Sequence, residues 1–390
     1  MSETVPERRP APRWLPAVLG LTLLAGVIAA WWAWTFTVSP PKEFIDLDYY
    51  RAATVVAVAG QPLFASLPYP PIALLAIAPL GGLPVVVGNQ VWSAVTLAVG
   101  LGLAYLVTQR GLAARGVEMG RQQLGLYGLT ATALILSMPF ITQLNVGQLT
   151  LFIVALTLVD TAGLLPRRWQ GVGVGVAGAI KVFPMVFVPY YLVTGQRRQA
   201  AMATGSFALV TAIGFALFPA DSLVFWSVLG KNDQFGDPSR WDNMSIQATV
   251  YRVLPSLGSV SAIWLALAVV VLAAALWRAR QHHLRGERFA GVLTVGAASV
   301  VLSPISWPHY HVWLPLLAIW LVLAATRRRD RLIAIGIYTA YSMPVTILFL
   351  ALSAEKVLAS ILTLVCMLIG LLGLPHLPDR PAQPAAEPTG

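Results

Sequence analysis

Two carboxylates two residues apart, Asp46 and Asp48 in FIDLDYYRAA, head the residues able to do chemistry. A spacing of two puts both on one face of a strand but on different faces of a helix, so on a helix only one of them need face a given cavity. A carboxylate set opposite a hydroxyl-bearing acceptor is what a base-assisted displacement requires. The plainer reading is a pair of solvated or helix-capping carboxylates at a helix start. Lys181, in AGAIKVFPMVF, has no carboxylate within its own apolar run. An ionisable group at membrane depth needs a partner to offset its desolvation, and an anionic substrate group such as phosphate would serve; the alternative is an ammonium that snorkels to the interface. His309 and His311, in VLSPISWPHYHVWLP, are two residues apart without a third ligand, which is a weak metal pattern, and no metal is expected. Trp307, Tyr310 and Trp313 around them also suit an interfacial aromatic belt. The amides and hydroxyls of QLNVGQL (143–149) and DNMSIQATVYR (242–252) can bind sugar hydroxyls, although each taken singly is better explained as a helix cap. Asp160 reads as structural, and His282 and His283 lie in a basic loop with no assigned role.

The elements that must position these residues are membrane helices. The 390 residues are 57% hydrophobic and 11% charged, against about 25% charged in a soluble domain, and the mean hydropathy is +0.73. The net charge of +10 is carried in short clusters between apolar runs, a topology signal rather than a phosphate-binding stripe, so no nucleic-acid partner is expected. One cysteine, Cys366, excludes an intrachain disulfide. The expected fold is all-α: a polytopic transmembrane bundle of about 12 helices, near 14–38, 86–108, 124–140, 149–164, 171–182, 184–194, 200–218, 257–278, 288–305, 309–325, 331–350 and 355–374. Residues 1–13 are then a cytoplasmic N-terminus, 14–374 the membrane domain, and the proline-rich stretch 375–390 a disordered cytoplasmic tail. With the N-terminus inside, 19 of the 26 Lys and Arg fall on the cytoplasmic side, which places the loops 39–85 and 219–256 outside.

Two of these segments, 171–182 and 184–194, are too short to cross about 30 Å of hydrocarbon, which takes roughly 20 residues. They read as a broken pair meeting at Lys181 to Pro184, a device tolerated where it lines a protein-enclosed cavity. One kinked helix over 171–193 would instead put Asp46 inside, and the arginine distribution disfavours it. The stretch PPIALLAIAPL (70–80) is too short to span and reads as a helix lying in the interface. No fixed-period repeat is visible.

The order IDLDYYRAA (45–53), G-x-P-L-F (60–64), YPPIALLAIAPL (69–80), NVGQLTL (145–151), AIKVFP (179–184), NMSI (243–246) and SPISWPHYH (303–311) resembles glycosyltransferase family 87. These are polyprenyl-phosphate-mannose-dependent mannosyltransferases of actinobacteria with the GT-C fold, and the resemblance covers residues 45 to about 313. It implies an inverting transfer of mannose from a polyprenyl-phosphate-mannose donor to a glycolipid or lipoglycan acceptor, usually as an α-1,2 linkage. The enzyme would sit among plasma-membrane lipids, with its active site extracytoplasmic and no cofactor. The family's aspartate falls on Asp46, with Tyr50 on its tyrosine, which makes Asp46 the implied base. Its lysine falls on Lys181, and the arginine trailing its N-Q-S-I segment falls on Arg252; with His309 these are the implied ligands of the donor phosphate. Asn243 and Ser245 match that segment, with Met244 in place of the glutamine. The second of the family's paired histidines is Tyr310 here, with His311 displaced by one residue. Asp48, Tyr50, Tyr69 and Asn145 are implied to touch substrate, as are Gln148, Asn243, Ser245 and His311.

A transporter or flippase of a lipid-linked glycan is the rival from another class, because broken helices and a buried lysine also mark transport pathways. Transport would require alternating access, whereas an enzyme of this kind would be sealed toward the cytoplasm.

Overall fold

A computed structural model describes residues 15–38, 44–61, 69–228, 237–255 and 258–375. The N-terminal segment 1–13, the tail beyond 375, residues 62–64 of G-x-P-L-F and Lys231 lie outside the described residues. The described chain is helical throughout, and its one isolated β-bridge joins Ser137 to Ser342. Among the described residues five helices are long and apolar enough to cross a membrane: Leu15–Phe36, Val85–Ala113, Arg197–Leu217, Val260–Leu284 and Glu355–Leu372. Thr150–Thr161, Phe183–Val193, Arg288–Leu302 and Pro308–Ala324 are shorter apolar helices.

The segments expected at 124–140 and 331–350 are each interrupted, and by the same tripeptide. Ser137-Met138-Pro139 separates Leu124–Ile135 from Met138–Val146, and Ser342-Met343-Pro344 separates Arg328–Ala340 from Met343–Ala351. Proline is accepted at the first turn of a helix, where its missing N–H has no intrahelical partner to lose. The two breaks meet: Met138 N donates to Tyr341 O at 2.8 Å, so a main-chain donor freed by one interruption is satisfied at the other.

The break expected at Lys181 is present. Val172–Ile180 ends on Lys181, whose backbone is extended (φ −155°, ψ 126°), and a 3-10 turn over Phe183–Val186 leads into Phe187–Val193. Val172–Ile180 packs closely on Arg197–Leu217 because it carries no side chain at Gly175, where a Cβ would run into Ser206 Oγ and Ala203 O. Asp160 caps its start, accepting from Gly171 N at 2.7 Å and Val174 N at 2.9 Å, which is the structural task expected of it.

The stretches 39–85 and 219–256 hold more helix than their sequences suggest. Ile45–Val58 is an α-helix with Phe44, Leu47, Tyr50 and Ala53 buried along one face. That three-residue spacing marks one side of a helix. Pro219–Val228 and Ile246–Val253 are further helices. The 70–80 stretch forms two 3-10 turns, Pro71–Ala76 and Ala78–Leu80, rather than one helix. Pro71, Ile72, Ala73 and Leu74 are buried against Ile45–Val58, Val172–Ile180 and Arg197–Leu217, while Leu75 is exposed.

Candidate active site

The Ile45–Val58 helix gives its two carboxylates different surroundings. Asp48 turns back on its own helix: its Oδ2 accepts from Phe44 N at 3.0 Å, and its Oδ1 lies 3.5 Å from Arg51 Nη1. Arg51 is 7% exposed and in turn holds the following loop, donating from Nε to Leu80 O at 3.1 Å and from Nη2 to Leu83 O. Gly88 makes room for it, since a Cβ there would lie 2.9 Å from Arg51 Cζ. Asp48 is thus a cap and anchor, the plainer of the two readings.

Asp46 points the other way. Its Oδ2 accepts from Gln148 Nε2 at 2.5 Å. Gln148 Nε2 also donates to Tyr50 OH at 3.1 Å, Tyr69 OH donates to Gln148 Oε1, and Lys181 Nζ donates to Tyr69 OH at 3.1 Å. The Lys181 ammonium lies over two rings, 4.3 Å from the centroid of Tyr69 and 3.9 Å from that of Tyr310. Each contact with a ring face offsets part of its desolvation. Tyr310 stacks on Phe183 at 5.9 Å, and the His309 ring stands edge-on to it at 4.8 Å. His309 is 4% exposed, and its Nε2 has no hydrogen-bond partner among the described residues. A buried polar atom without a protein partner is costly unless another group meets it.

The local sequence explains the convergence. Met138–Val146 ends on Gly147, which adopts the left-handed conformation (φ 74°, ψ 47°) typical of a helix C-terminus. A Cβ at Gly147 would lie 2.5 Å from Leu47 Cβ, so the absent side chain is what lets the Asp46 helix rest on this turn. Gln143 staples the turn, donating from Nε2 to Gln148 O and accepting from Leu151 N at 3.4 Å. Gln148 therefore arrives beside Asp46 on a fixed backbone. Burial raises the Asp46 pKa above the ordinary aspartate value, against the lowering effects of the Gln148 hydrogen bond and the Lys181 charge.

Of the residues singled out in the sequence, Asp46, Tyr50, Tyr69, Gln148, Lys181 and His309 come together. Asn145 is half-buried close by, near the end of the Met138–Val146 helix. Arg252 is placed otherwise than expected for a phosphate ligand. Its guanidinium donates to Ser360 Oγ at 3.0 Å, Arg240 O at 3.0 Å, Asn243 O at 2.9 Å and Thr249 Oγ1 at 3.1 Å, tying the 240–252 stretch to the Glu355–Leu372 helix. Asn243 is likewise occupied: its Oδ1 accepts from Ser306 N at 3.0 Å and Ser245 N at 3.3 Å, and its Nδ2 donates to Pro304 O at 3.3 Å. Ser245 Oγ donates to Pro304 O at 2.7 Å and accepts from Ala248 N at 3.0 Å as a helix cap. Both His311 nitrogens are engaged, Nε2 with Ser306 Oγ at 3.0 Å and Nδ1 with Tyr341 OH at 2.9 Å. These residues lock the 243–252 and 304–311 stretches together. Tyr310 and Gln143, which the sequence reading left out of the site, belong to it; their positions inside SWPHYH and QLNVGQL were the available signal.

Among the described residues no group of three His, Cys, Asp or Glu side chains could hold a metal ion. The cluster holds a carboxylate at one end and an ammonium with a free imidazole nitrogen at the other. That arrangement suits removal of a proton at one end and binding of an anion at the other.

Residues 67–304 match the model of glycosyltransferase family 87. The chain is 29% identical over 335 residues to a polyprenol-phosphate-mannose-dependent alpha-(1-2)-phosphatidylinositol mannoside mannosyltransferase of Mycobacterium tuberculosis, covering 80% of this chain and 77% of that protein. A Mycolicibacterium smegmatis protein of the same description is 28% identical over 85% of this chain and 82% of its own length. A polyprenol-phosphate-mannose-dependent alpha-(1-2)-phosphatidylinositol pentamannoside mannosyltransferase of M. tuberculosis is 31% identical over 82% of this chain and 75% of its own length. No solved structure matches the chain.

Proposed function

The chain belongs to glycosyltransferase family 87, and we propose that it transfers mannose from a polyprenyl-phosphate-mannose donor to an acceptor of the phosphatidylinositol mannoside or lipoglycan class, as an α-1,2 linkage formed with inversion. The observation that carries this reading is the single cluster in which Asp46 stands at one end of a hydrogen-bonded bridge and Lys181 at the other, with the unpartnered His309 Nε2 beside Tyr310. Asp46 takes the proton of the acceptor hydroxyl. The oxygen then bonds to the anomeric carbon on the face opposite the phosphate, and the bond from that carbon to the phosphate oxygen breaks. The electron pair leaves with the polyprenyl phosphate, whose charge Lys181 and His309 receive. One positioned base contributes about 10²–10⁴-fold, and donors aimed at the departing charge add an effect of similar size, on the order of 10²–10³-fold each.

The reading extends to topology. The protein crosses the plasma membrane about 12 times, counting the interrupted segments, with its active site extracytoplasmic and the 70–80 turns at the outer interface, where Leu75 reaches lipid. The arginine distribution and the break at Lys181 support this arrangement. Purified protein in nanodiscs, supplied with polyprenyl-phosphate-mannose and a phosphatidylinositol mannoside, should yield a product one hexose heavier whose new linkage an α-1,2-specific mannosidase removes. Transfer from a nucleotide-activated mannose instead, or none from the lipid-linked donor, would contradict the reading.

A further inference from the structure

The bridge between Asp46 and Lys181 has a direction. Lys181 Nζ donates to the Tyr69 oxygen at 3.1 Å, so the Tyr69 hydrogen must go elsewhere, and it goes to Gln148 Oε1. That fixes which way round the Gln148 amide sits: its nitrogen faces Asp46 and Tyr50. The flipped amide would set its oxygen against a carboxylate oxygen and its N–H₂ against a hydroxyl that needs an acceptor. Each bond therefore donates toward Asp46, and bonds in such a series polarise one another. Among the described residues Asp46 and Lys181 form no direct ion pair. Had they met in this largely buried place, their attraction would have tied up both the carboxylate and the ammonium.

We propose that Gln148 is a positioning residue that, with Tyr69, holds Asp46 and Lys181 apart and occupies Asp46 Oδ2, so that Oδ1 is the atom that takes the acceptor's proton. The role of Oδ1 rests on Asp46 being the base. The bridge itself stands on hydrogen bonds and on the backbone that fixes Gln148, namely the left-handed turn at Gly147 and the Gln143 staple. Tyr50 serves as the second acceptor of the Gln148 amide, and its ring meets that of Tyr69 edge-on at 5.3 Å. Such an amide is held at both ends and does not turn with the substrate. The titratable groups facing Asp46 are Tyr50 on its own helix and Tyr69, Lys181 and Tyr310 from the elements packed against it.

The test follows Asp46 itself. In full-length protein without substrate, the carboxyl signal of Asp46 is titrated by infrared difference spectroscopy, assigned by its loss in Asp46→Asn. The acid limb of the kcat/KM profile is measured in parallel. Gln148→Met keeps the volume and removes the donor. Losing a hydrogen bond to a charged group should raise the Asp46 midpoint by about one pH unit, with kcat/KM about tenfold lower on the acid side. Tyr69→Phe keeps the ring beneath Lys181 and removes one hydroxyl. It should shift the same limb in the same direction, and added to Gln148→Met it should shift it no further, since both act through one chain. An unchanged midpoint in Gln148→Met, or two shifts that simply add, overturns the proposal. Should Gln148→Met fail to fold, Tyr69→Phe decides: an unmoved midpoint counts against the bridge. Failure of the unmodified protein to transfer mannose counts against the donor assignment instead, and the substrate-free titration still judges the bridge.

Discussion

Asp46 and Asp48 lie two residues apart on one helix and are given opposite tasks by what they face. Asp48 meets an arginine and a free main-chain N–H, whereas Asp46 meets an amide and, through it, two phenols and a lysine. Burial holds the Asp46 pKa above the ordinary aspartate value. The base proposed at Asp46 must be deprotonated, so transfer should fall as pH drops through this raised pKa, at a higher pH than for a free aspartate. The same shift has a consequence for stability. A carboxyl whose pKa is higher folded than unfolded makes the folded state less stable once pH rises through that window, because the buried charge is then unavoidable. Asp46→Asn should therefore raise the midpoint of thermal unfolding at neutral pH, and the difference should vanish as pH falls below the ordinary aspartate range. An unchanged or lowered midpoint at neutral pH would mean that the carboxylate is better compensated than its neighbours indicate. For Lys181, replacement by Met should leave the fold intact and lower kcat/KM for the donor by about 10²-fold or more, seen in initial rates at varied donor concentration.

At the scale of elements, the Gly147 turn brings the Asp46 helix to Gln148. Gly147→Ala places a side chain 2.5 Å from Leu47 Cβ in a left-handed backbone, where the conformation alone costs about 1–2 kcal/mol. Transfer should fall at least tenfold and more steeply than stability, as thermal unfolding of the same preparation would show. The 240–252 stretch gives a contrasting case. Arg252→Gln removes bonds to Ser360 and to two main-chain oxygens, each to a charged group and worth about 1.5–3 kcal/mol. Unfolding should come at lower temperature, with the donor KM within about threefold of its parental value. A donor KM raised tenfold at unchanged stability would restore Arg252 to the phosphate.

These two elements also show what the sequence made legible. The break at Lys181 was readable because a short apolar run ended on a charge and a proline. For the Asp46 helix only a possible start is readable, because its buried face of Phe44, Leu47, Tyr50 and Ala53 is short and three of the four are aromatic or small. The Ser-Met-Pro breaks were hidden inside runs apolar enough to pass as single spans. Arg252 and Asn243 looked like ligands because nothing in the sequence indicates that their partners would be main-chain oxygens and Ser360, more than a hundred residues away. Asp46, Lys181 and Gln148 could each be picked out as polar groups in unusual company, but their order along one bridge exists only once the helices are packed.

At the scale of the whole molecule, every assignment depends on which side of the membrane the cluster faces. With Cys366, buried 3.2 Å from Tyr341 OH, replaced by Ser, single cysteines at Ser239 and Ser353 should react with an impermeant thiol reagent in intact cells. Cysteines at Gln122 and Gln281 should react only after permeabilisation. Gln122 labelled in intact cells, with Gln281 still protected, would mean that the 171–194 region crosses once and that Asp46 faces the cytoplasm. The claim at the centre of the account, that Asp46 is the base of an outward-facing mannosyl transfer, is tested most directly in right-side-out membrane vesicles. These are loaded with polyprenyl-phosphate-mannose and given a membrane-impermeant mannoside acceptor outside. The unmodified protein and Asp48→Asn should both extend the acceptor, whereas Asp46→Asn, present in equal amount and equally folded, should fall by at least about 10²-fold; extension by Asp46→Asn at the parental rate would contradict the account.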